Sequence, residues 1–245
     1  MLTFLQTEFL KLKRSKVFLL IILGSLAPAL ISFLVLLIYN SSNPTHLDMN
    51  FFLNELILYS ILLFNIVLYS LLIAFLVVRE YNDHTLKSVL VSPISRTKLI
   101  ISKFVMFEIL VILLAIFSFV IGVILAYIGG ATSITFKIIF DNFVQYMISC
   151  TLLSIAMTPF LFISLIFKNS IPSVIVGVAV AFSNMLLYGQ YLAPLSPYCS
   201  ALIYGLHKMG EYNYGNITPV LIILLTFVVG LILSLIYFNK KDVAL

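Results

Sequence analysis

The chain has 245 residues, of which 62% are hydrophobic and 9% are Asp, Glu, Lys or Arg, with a mean hydropathy of +1.19. Soluble domains carry about 25% charged residues, so this composition excludes a soluble enzyme or binding module and defines an integral membrane protein. The formal charge of +5 is spread as short basic clusters beside apolar runs, which points to anionic lipid head groups and away from nucleic acid.

Residues 1–16 place Phe4, Leu5, Phe9 and Leu12 near one side of a helix and Glu8, Lys11 and Arg14 near the other, the pattern of an amphipathic helix lying in the membrane interface. An apolar run follows over 17–39, with Pro28 as a possible kink and no small-residue cleavage motif at its end. It is therefore expected to be a retained first span and not a secretory signal. Residues 40–50 are a short polar loop, and 51–78 is a second span with Glu55 near its start. The segment 79–98 carries much of the chain's charge and must lie outside the bilayer. Within it Thr85 can cap a short helix whose Leu86, Val89 and Leu90 fall at i, i+3 and i+4, and Pro93 ends that helix. Ser95 then offers a second N-cap, with Arg96, Lys98 and Lys103 marking a basic approach to the third span, 99–128.

The third span contains Glu108. A loop rich in Gly, Ser and Thr precedes a fourth span at 140–167, which contains Pro159. A tight turn at 168–172 leads into a fifth span at 173–192. Residues 193–216 include Pro194, Pro197, Cys199, His207, Lys208 and Glu211 but also the apolar piece 201–206. That mixture suggests a partly re-entrant or interfacial external segment. A sixth span at 217–238 and a short basic tail complete an all-α transmembrane domain. With no Trp present, the interfacial belt must be built from Tyr, Lys and Arg.

Six spans put both termini on one side. Lys11, Lys13, Arg14, Lys16, Arg79, Lys87, Arg96, Lys98, Lys103, Lys168, Lys240 and Lys241 fall on that side, leaving Lys137 and Lys208 of the 14 Lys and Arg on the other. The positive-inside rule then predicts cytoplasmic termini and a cytoplasmic 79–98 segment.

No G-x-x-x-x-G-K-[ST] loop occurs, so this chain alone has no P-loop nucleotide site. H-E-x-x-H and G-x-S-x-G are absent as well. His46, His84 and His207 lie in separate connecting segments, and Cys150 and Cys199 show no metal-ligand spacing. No catalytic or metal site is therefore expected. At the bilayer centre an acid costs about 2.5 to 3.5 kcal/mol, which leaves two readings of Glu108. It is a pathway or latch residue facing a partner helix or a wet cavity, or an interfacial acid paired with Lys103 or another cytoplasmic base. Gln145, Ser149, Thr151, Ser154 and Thr158 on the fourth span, and Ser183, Asn184 and Gln190 on the fifth, read as interhelical hydrogen-bonding groups with contact to cargo as the alternative. Tyr59, Phe64 and Tyr69 read as packing or as the lining of an amphipathic path.

The order of an amphipathic N-terminal helix, six spans and a charged segment between spans two and three resembles the permease subunits of type-2 ABC exporters. The local pattern is Glu80, Thr85, Leu86, Pro93, Ser95, Arg96 and Lys103, with His84 where that family usually has Gly. The region 194–205 also resembles the family's external segment before its last span. The resemblance implies a bacterial cytoplasmic-membrane permease that pairs with a second copy or a homologous permease and with separate ABC ATPase subunits, which bind ATP and Mg. It implies coupling to the ATPase through Glu80, Asp83, Thr85, Leu86, Lys87, Val89, Leu90, Pro93 and Arg96. Small permeases of this size resemble those of bacitracin and lantibiotic immunity systems and of peptide-toxin exporters, so the implied cargo is an amphipathic or antimicrobial peptide or a lipid-like compound. A sodium exporter of the same class is the alternative. A secondary transporter or a membrane-embedded enzyme fits less well, since no internal repeat and no catalytic constellation is evident.

Overall fold

The computed structural model describes residues 9, 12, 17–42, 48–82, 96–212, 214–215 and 217–240. These are helical apart from turns and one isolated bridge between Asp48 and Thr132. Among the described residues, six helices are long and apolar enough to cross a membrane. The first is α1 (Val17–Ser42), followed by α2 (Met49–Asn82) and α3 (Arg96–Ile128). The fourth run is broken into α4 (Phe136–Ala156) and the shorter α5 (Thr158–Phe167), and α6 (Ser170–Leu187) is the fifth span. The short α7 (Pro197–Gly205) precedes the last span, α8 (Thr218–Lys240). Of the 1–16 helix expected at the interface, only Phe9 and Leu12 are described. Leu12 is buried, and the Phe9 ring meets Phe18 of α1 edge-on at 6.4 Å.

The spans differ from the sequence boundaries at places with physical causes. The second helix runs past Val78 to Asn82, because Arg79 and Glu80 need not leave the helix to find polar partners. The break between α4 and α5 follows from Pro159. Proline has no N–H to give to the carbonyl one turn back and its ring crowds that carbonyl, so the helix pauses at Met157 (φ −81°, ψ 2°). The expected turn after the fourth span is tighter than 168–172. Lys168 takes a left-handed conformation (φ 49°) to end α5, and the Asn169 side chain accepts the Ile171 N–H at 3.1 Å to cap α6. Asn is well suited to that cap because its oxygen replaces a missing intrahelical acceptor.

The second helix is the centre of the bundle: 67% of its most apolar window is buried, against 22% for α6 and 17% for α8. It touches α3, α4, α5 and α6, while α1 packs mainly on α3 and α8 packs mainly on α5 and α7. At the end of the bundle where α2 begins, the Met49 N–H donates to Thr132 O at 3.1 Å and Asn142 Nδ2 donates to Asn50 Oδ1 at 2.9 Å. These bonds clasp the start of α2 to the loop between α3 and α4 and to the first turns of α4. The region 193–216 is not a loose loop. Cys199, Ser200, Ala201, Leu202, Ile203 and Gly205 of α7 are buried, and the helix is seated against α4 and α8. A Cβ on Gly205 would overlap the Ser149 hydroxyl, so the absence of a side chain there lets α7 approach α4 closely.

Close approach is most restrictive at Gly230 of α8. A Cβ there would sit 2.7 Å from the Pro159 nitrogen and 2.8 Å from the Thr158 carbonyl carbon, both backbone atoms that cannot rotate away. Small residues set helix separation in membranes, where lipid supplies no hydrophobic drive between helices. Gly230→Ala is expected to force α8 off α5 and to cost about 1 to 3 kcal/mol. Thermal unfolding in detergent checks this, with Gly210→Ala, where a Cβ meets nothing within 4 Å, as the neutral control.

Candidate functional site

Two groups of polar side chains sit inside this bundle, one at the end of α2 and one in its middle. At the end, Lys103 Nζ lies 3.0 Å from Glu80 Oε1 and donates to Leu76 O at 2.6 Å. Both side chains are only 4% exposed. The pair joins the last turns of α2 to the first turns of α3, the two helices that flank residues 83–95. Lys168 stands over the Tyr81 ring at 5.3 Å, and Arg79 over Phe75 at 5.8 Å, so the turn between α5 and α6 is drawn to the same end. A cavity of about 10 Å³ beside Lys103 is lined by Leu76, Phe104, Phe107 and Leu161 among others. It has room for one water-sized molecule and none for cargo.

In the middle, Glu108 of α3 is not paired with Lys103, which is engaged by Glu80. Ser154 Oγ of α4 donates to Glu108 Oε2 at 2.8 Å, so the Glu108 carboxyl faces α4. Towards the opposite face the same seam continues through Tyr69, Cys150 and Asn65 to Tyr146, Ser60 and Ser118, all buried. Asn65 Nδ2 approaches Cys150 Sγ at 3.5 Å. The Tyr69 ring meets Phe107 edge-on at 5.7 Å, and the Tyr146 ring stacks on Phe119 at 6.0 Å. Tyr69 is thus both a packing residue and part of a polar line.

Most of the other polar residues on α4, α5 and α6 serve the helices themselves. Ser149 and Thr151 return hydrogen bonds to carbonyls one turn back, and Ser183 does the same on α6. Thr158 leans toward the carbonyls of Thr226 and Phe227 on α8 at 3.4 and 3.3 Å. Asn184 Oδ1 accepts from Ser196 at 2.7 Å and from the Cys199 thiol at 3.2 Å, tying α6 to the segment before α7. Cys150 and Cys199 are free thiols.

Of the residues that the sequence assigns to ATPase coupling, Glu80 lies in the last turn of α2 and Arg96 begins α3. Asp83, Thr85, Leu86, Lys87, Val89, Leu90 and Pro93 lie outside the described residues, as does Ser95. Sequence reasoning did not find Ser60, Asn65, Ser118, Tyr146 and Cys150. A signal was present on the fourth span, where Tyr146, Cys150 and Ser154 recur every four residues on one helix face. On α2 the signal was hidden, because Ser60 and Asn65 are five apart and an α-helix would splay them. A π-turn over Ser60–Phe64, closed by the Asn65 N–H on Ser60 O, absorbs the extra residue. Ser60, Asn65 and Tyr69 therefore share one face.

Six apolar spans, a deep central helix and a buried ion pair at the root of a charged inter-span segment define a multi-pass membrane protein. Residues 4–184 match the ABC-2 family transporter protein family, and the chain belongs to that family. It is 29% identical over 191 residues, 76% of this chain and 89% of the other, to the bacitracin transport permease protein BCRB of Bacillus licheniformis.

Removing one partner of a buried ion pair leaves the other charge without compensation, which is more costly than removing both. Lys103→Met is expected to cost about 3 kcal/mol, and the double change Glu80→Gln with Lys103→Met is expected to recover most of that loss. Unfolding midpoints of the two variants and the wild type, measured in one detergent, check the order.

Proposed function

We propose that this chain is the transmembrane subunit through which an ABC exporter moves amphipathic or antimicrobial peptides out of the cell or the membrane. The observation that carries the cargo assignment is the likeness to a bacitracin transport permease, which extends over 89% of that protein. The aromatic and mixed-polarity spans suit a cargo with one apolar and one polar face. A sodium exporter has less support, since the comparison that speaks to cargo names a peptide antibiotic. Family membership brings ABC ATPase subunits as partners in general terms. In this reading ATP and Mg are bound by those partners, a second copy or a homologous permease completes the pathway, and membrane lipids surround it.

Coupling is assigned to the charged segment between α2 and α3, where Leu86, Val89 and Leu90 supply an apolar strip and Glu80, Asp83, Thr85, Lys87, Pro93 and Arg96 its polar frame and end. Glu80 and Lys103 support this assignment by fastening together the two helices on which that segment is mounted. A push on the segment then reaches both helices as one body.

The orientation that goes with this reading has cytoplasmic termini. A Cys at Ser133, exposed in the loop between α3 and α4, should react with a membrane-impermeant maleimide in intact cells. One at Asn169 should react only after permeabilisation. The native thiols need not be removed, because both are buried and burial pushes the Cys199 thiol up to about 11. A raised thiol value means less thiolate at neutral pH, and the thiolate is the reactive form. Labelling of Asn169→Cys from outside would invert the topology.

Cargo and coupling are tested together by co-expression with the cognate ATPase in a peptide-sensitive host. Bacitracin tolerance should rise, whereas a gain in sodium tolerance alone would overturn the peptide assignment. Burying each aliphatic side chain at an interface is worth about 1.5 to 3 kcal/mol. The double change Leu86→Ser with Leu90→Ser should therefore release the ATPase on co-purification, or retain it without transport. Wild-type retention together with wild-type tolerance would remove the strip from coupling.

A further inference from the structure

The π-turn of α2 has no local cause. Residues Ser60–Phe64 contain no proline or glycine, the residues least suited to a helix interior, and regular α-helix continues on both sides, over Met49–Tyr59 and Asn65–Asn82. The cause lies in what each part of α2 is fastened to. The first part is held by the Met49 N–H on Thr132 O, by Asn142 on Asn50 and by the close approach of Leu56 to Gly122 of α3. The second is held by Tyr69 against Phe107, by Ser70 against Gly177 of α6, and by Glu80 with Lys103. One residue more lies between these two sets of contacts than a continuous α-helix would place there, and the π-turn takes it up.

The side chains at this point can trade partners. Ser60, Asn65, Tyr146 and Cys150 are all buried. The Tyr146 hydroxyl is within hydrogen-bonding reach of Ser118, Ser60 and Asn65, and the Cys150 thiol within reach of Tyr69, Tyr146 and Asn65. In the membrane interior a polar group that loses one partner must find another, and here each has more than one to turn to. The break between α4 and α5 is built differently. Gly230 of α8 comes so close to the backbone of Thr158 and Pro159 that a Cβ would not fit, so that break is wedged by a neighbouring span.

We propose that the π-turn is a yielding joint in the central helix, at which Met49–Tyr59 turns against Asn65–Asn82 as the permease changes shape. A π-turn is an α-helix carrying one extra residue, and it recurs at functional positions. Moving that residue along the helix by one position turns the backbone it passes by about 100° and shifts it by about 1.5 Å. A displacement arriving through Glu80 and Lys103 then moves the second part of α2, while the first keeps its clasp on Thr132 and Asn142. The joint stands apart from the choice of cargo, since it rests on the interior of α2, α3 and α4.

The test uses the full chain in lipid nanodiscs, with pairs of spin labels read by pulsed dipolar spectroscopy. One pair, Phe51→Cys with Asn82→Cys, spans the joint. The other, Thr97→Cys with Ile128→Cys, has the same sequence separation on α3, which is α-helical over all its 33 residues. The distance distribution is expected to be wider along α2 than along α3, and equal widths overturn the proposal. Deletion of the half-buried Leu63 leaves Ser60 four residues before Asn65, so both stay on one helix face and the fastenings of both parts keep their register without the extra residue. The deletion should narrow the α2 distribution to the width of α3, keep the unfolding midpoint at or above that of the wild type, and reduce transport several-fold in the presence of the cognate ATPase. A deletion variant that transports like the wild type overturns the joint, and so does a lowered midpoint, because the extra residue then serves packing. Transport is scored as bacitracin tolerance and so rests on the proposed cargo. A wild type that confers no tolerance defeats the cargo assignment, and the label widths alone then decide the joint.

Discussion

The hydrocarbon interior offers no hydrogen-bond partner, so each polar group that a helix carries into it must be answered from within the same bundle. That constraint arranges this permease around α2. Its last turn brings Glu80 to Lys103 of α3, its middle brings Tyr69 and Asn65 to the Glu108–Ser154 level and to Cys150, and its first turn brings Asn50 to Asn142 of α4. Each contact is polar and is made to a residue far away in the chain. Packing of aliphatic side chains against one another is little better than packing against lipid, so these contacts and the close approach of small residues decide which helix lies beside which.

The same constraint separates a stiff part of the molecule from faces open to other contacts. The second helix is held by partners on several sides, while few residues of α6 and α8 are buried. The segment proposed to meet the ATPase is mounted on the ends of α2 and α3, and these are locked to each other by the Glu80–Lys103 pair. A displacement entering there is carried along the most deeply buried helix of the chain. Midway it meets the π-turn, where one hydrogen bond spans five residues instead of four. An exporter needs spans that move together at one end and can slip past one another further along, and α2 has a lock and a softer turn in that order.

Glu108 illustrates how a single residue can be read two ways until its neighbours are known. From spacing alone, Lys103 is a plausible partner one to two turns away. In the folded chain Lys103 turns toward Glu80 and the Leu76 carbonyl, and Glu108 turns toward Ser154, which is 46 residues distant. The helix period sets which side chains share a face, but it does not say which foreign face they meet. The external segment teaches a related lesson. Its mixed composition suggests a partly re-entrant piece, and the structure gives a short helix whose Gly205 lets it lie directly on Ser149.

Composition, the six apolar runs and the uneven placement of Lys and Arg were sufficient by themselves to establish a polytopic α-helical membrane protein. They also gave the approximate limits of its spans, because the cost of exposing backbone and charge to hydrocarbon is paid residue by residue along the chain. The charged segment between the second and third spans and its likeness to type-2 ABC permeases were legible for the same reason. Only the tertiary structure decided the partners of Lys103 and Glu108, the break at Met157, the seating of α7, and the π-turn that brings Ser60 onto the face of Asn65 and Tyr69. Those outcomes depend on the rotation and separation of whole helices, which are set by contacts between residues tens of positions apart, and no local pattern of hydrophobicity records them.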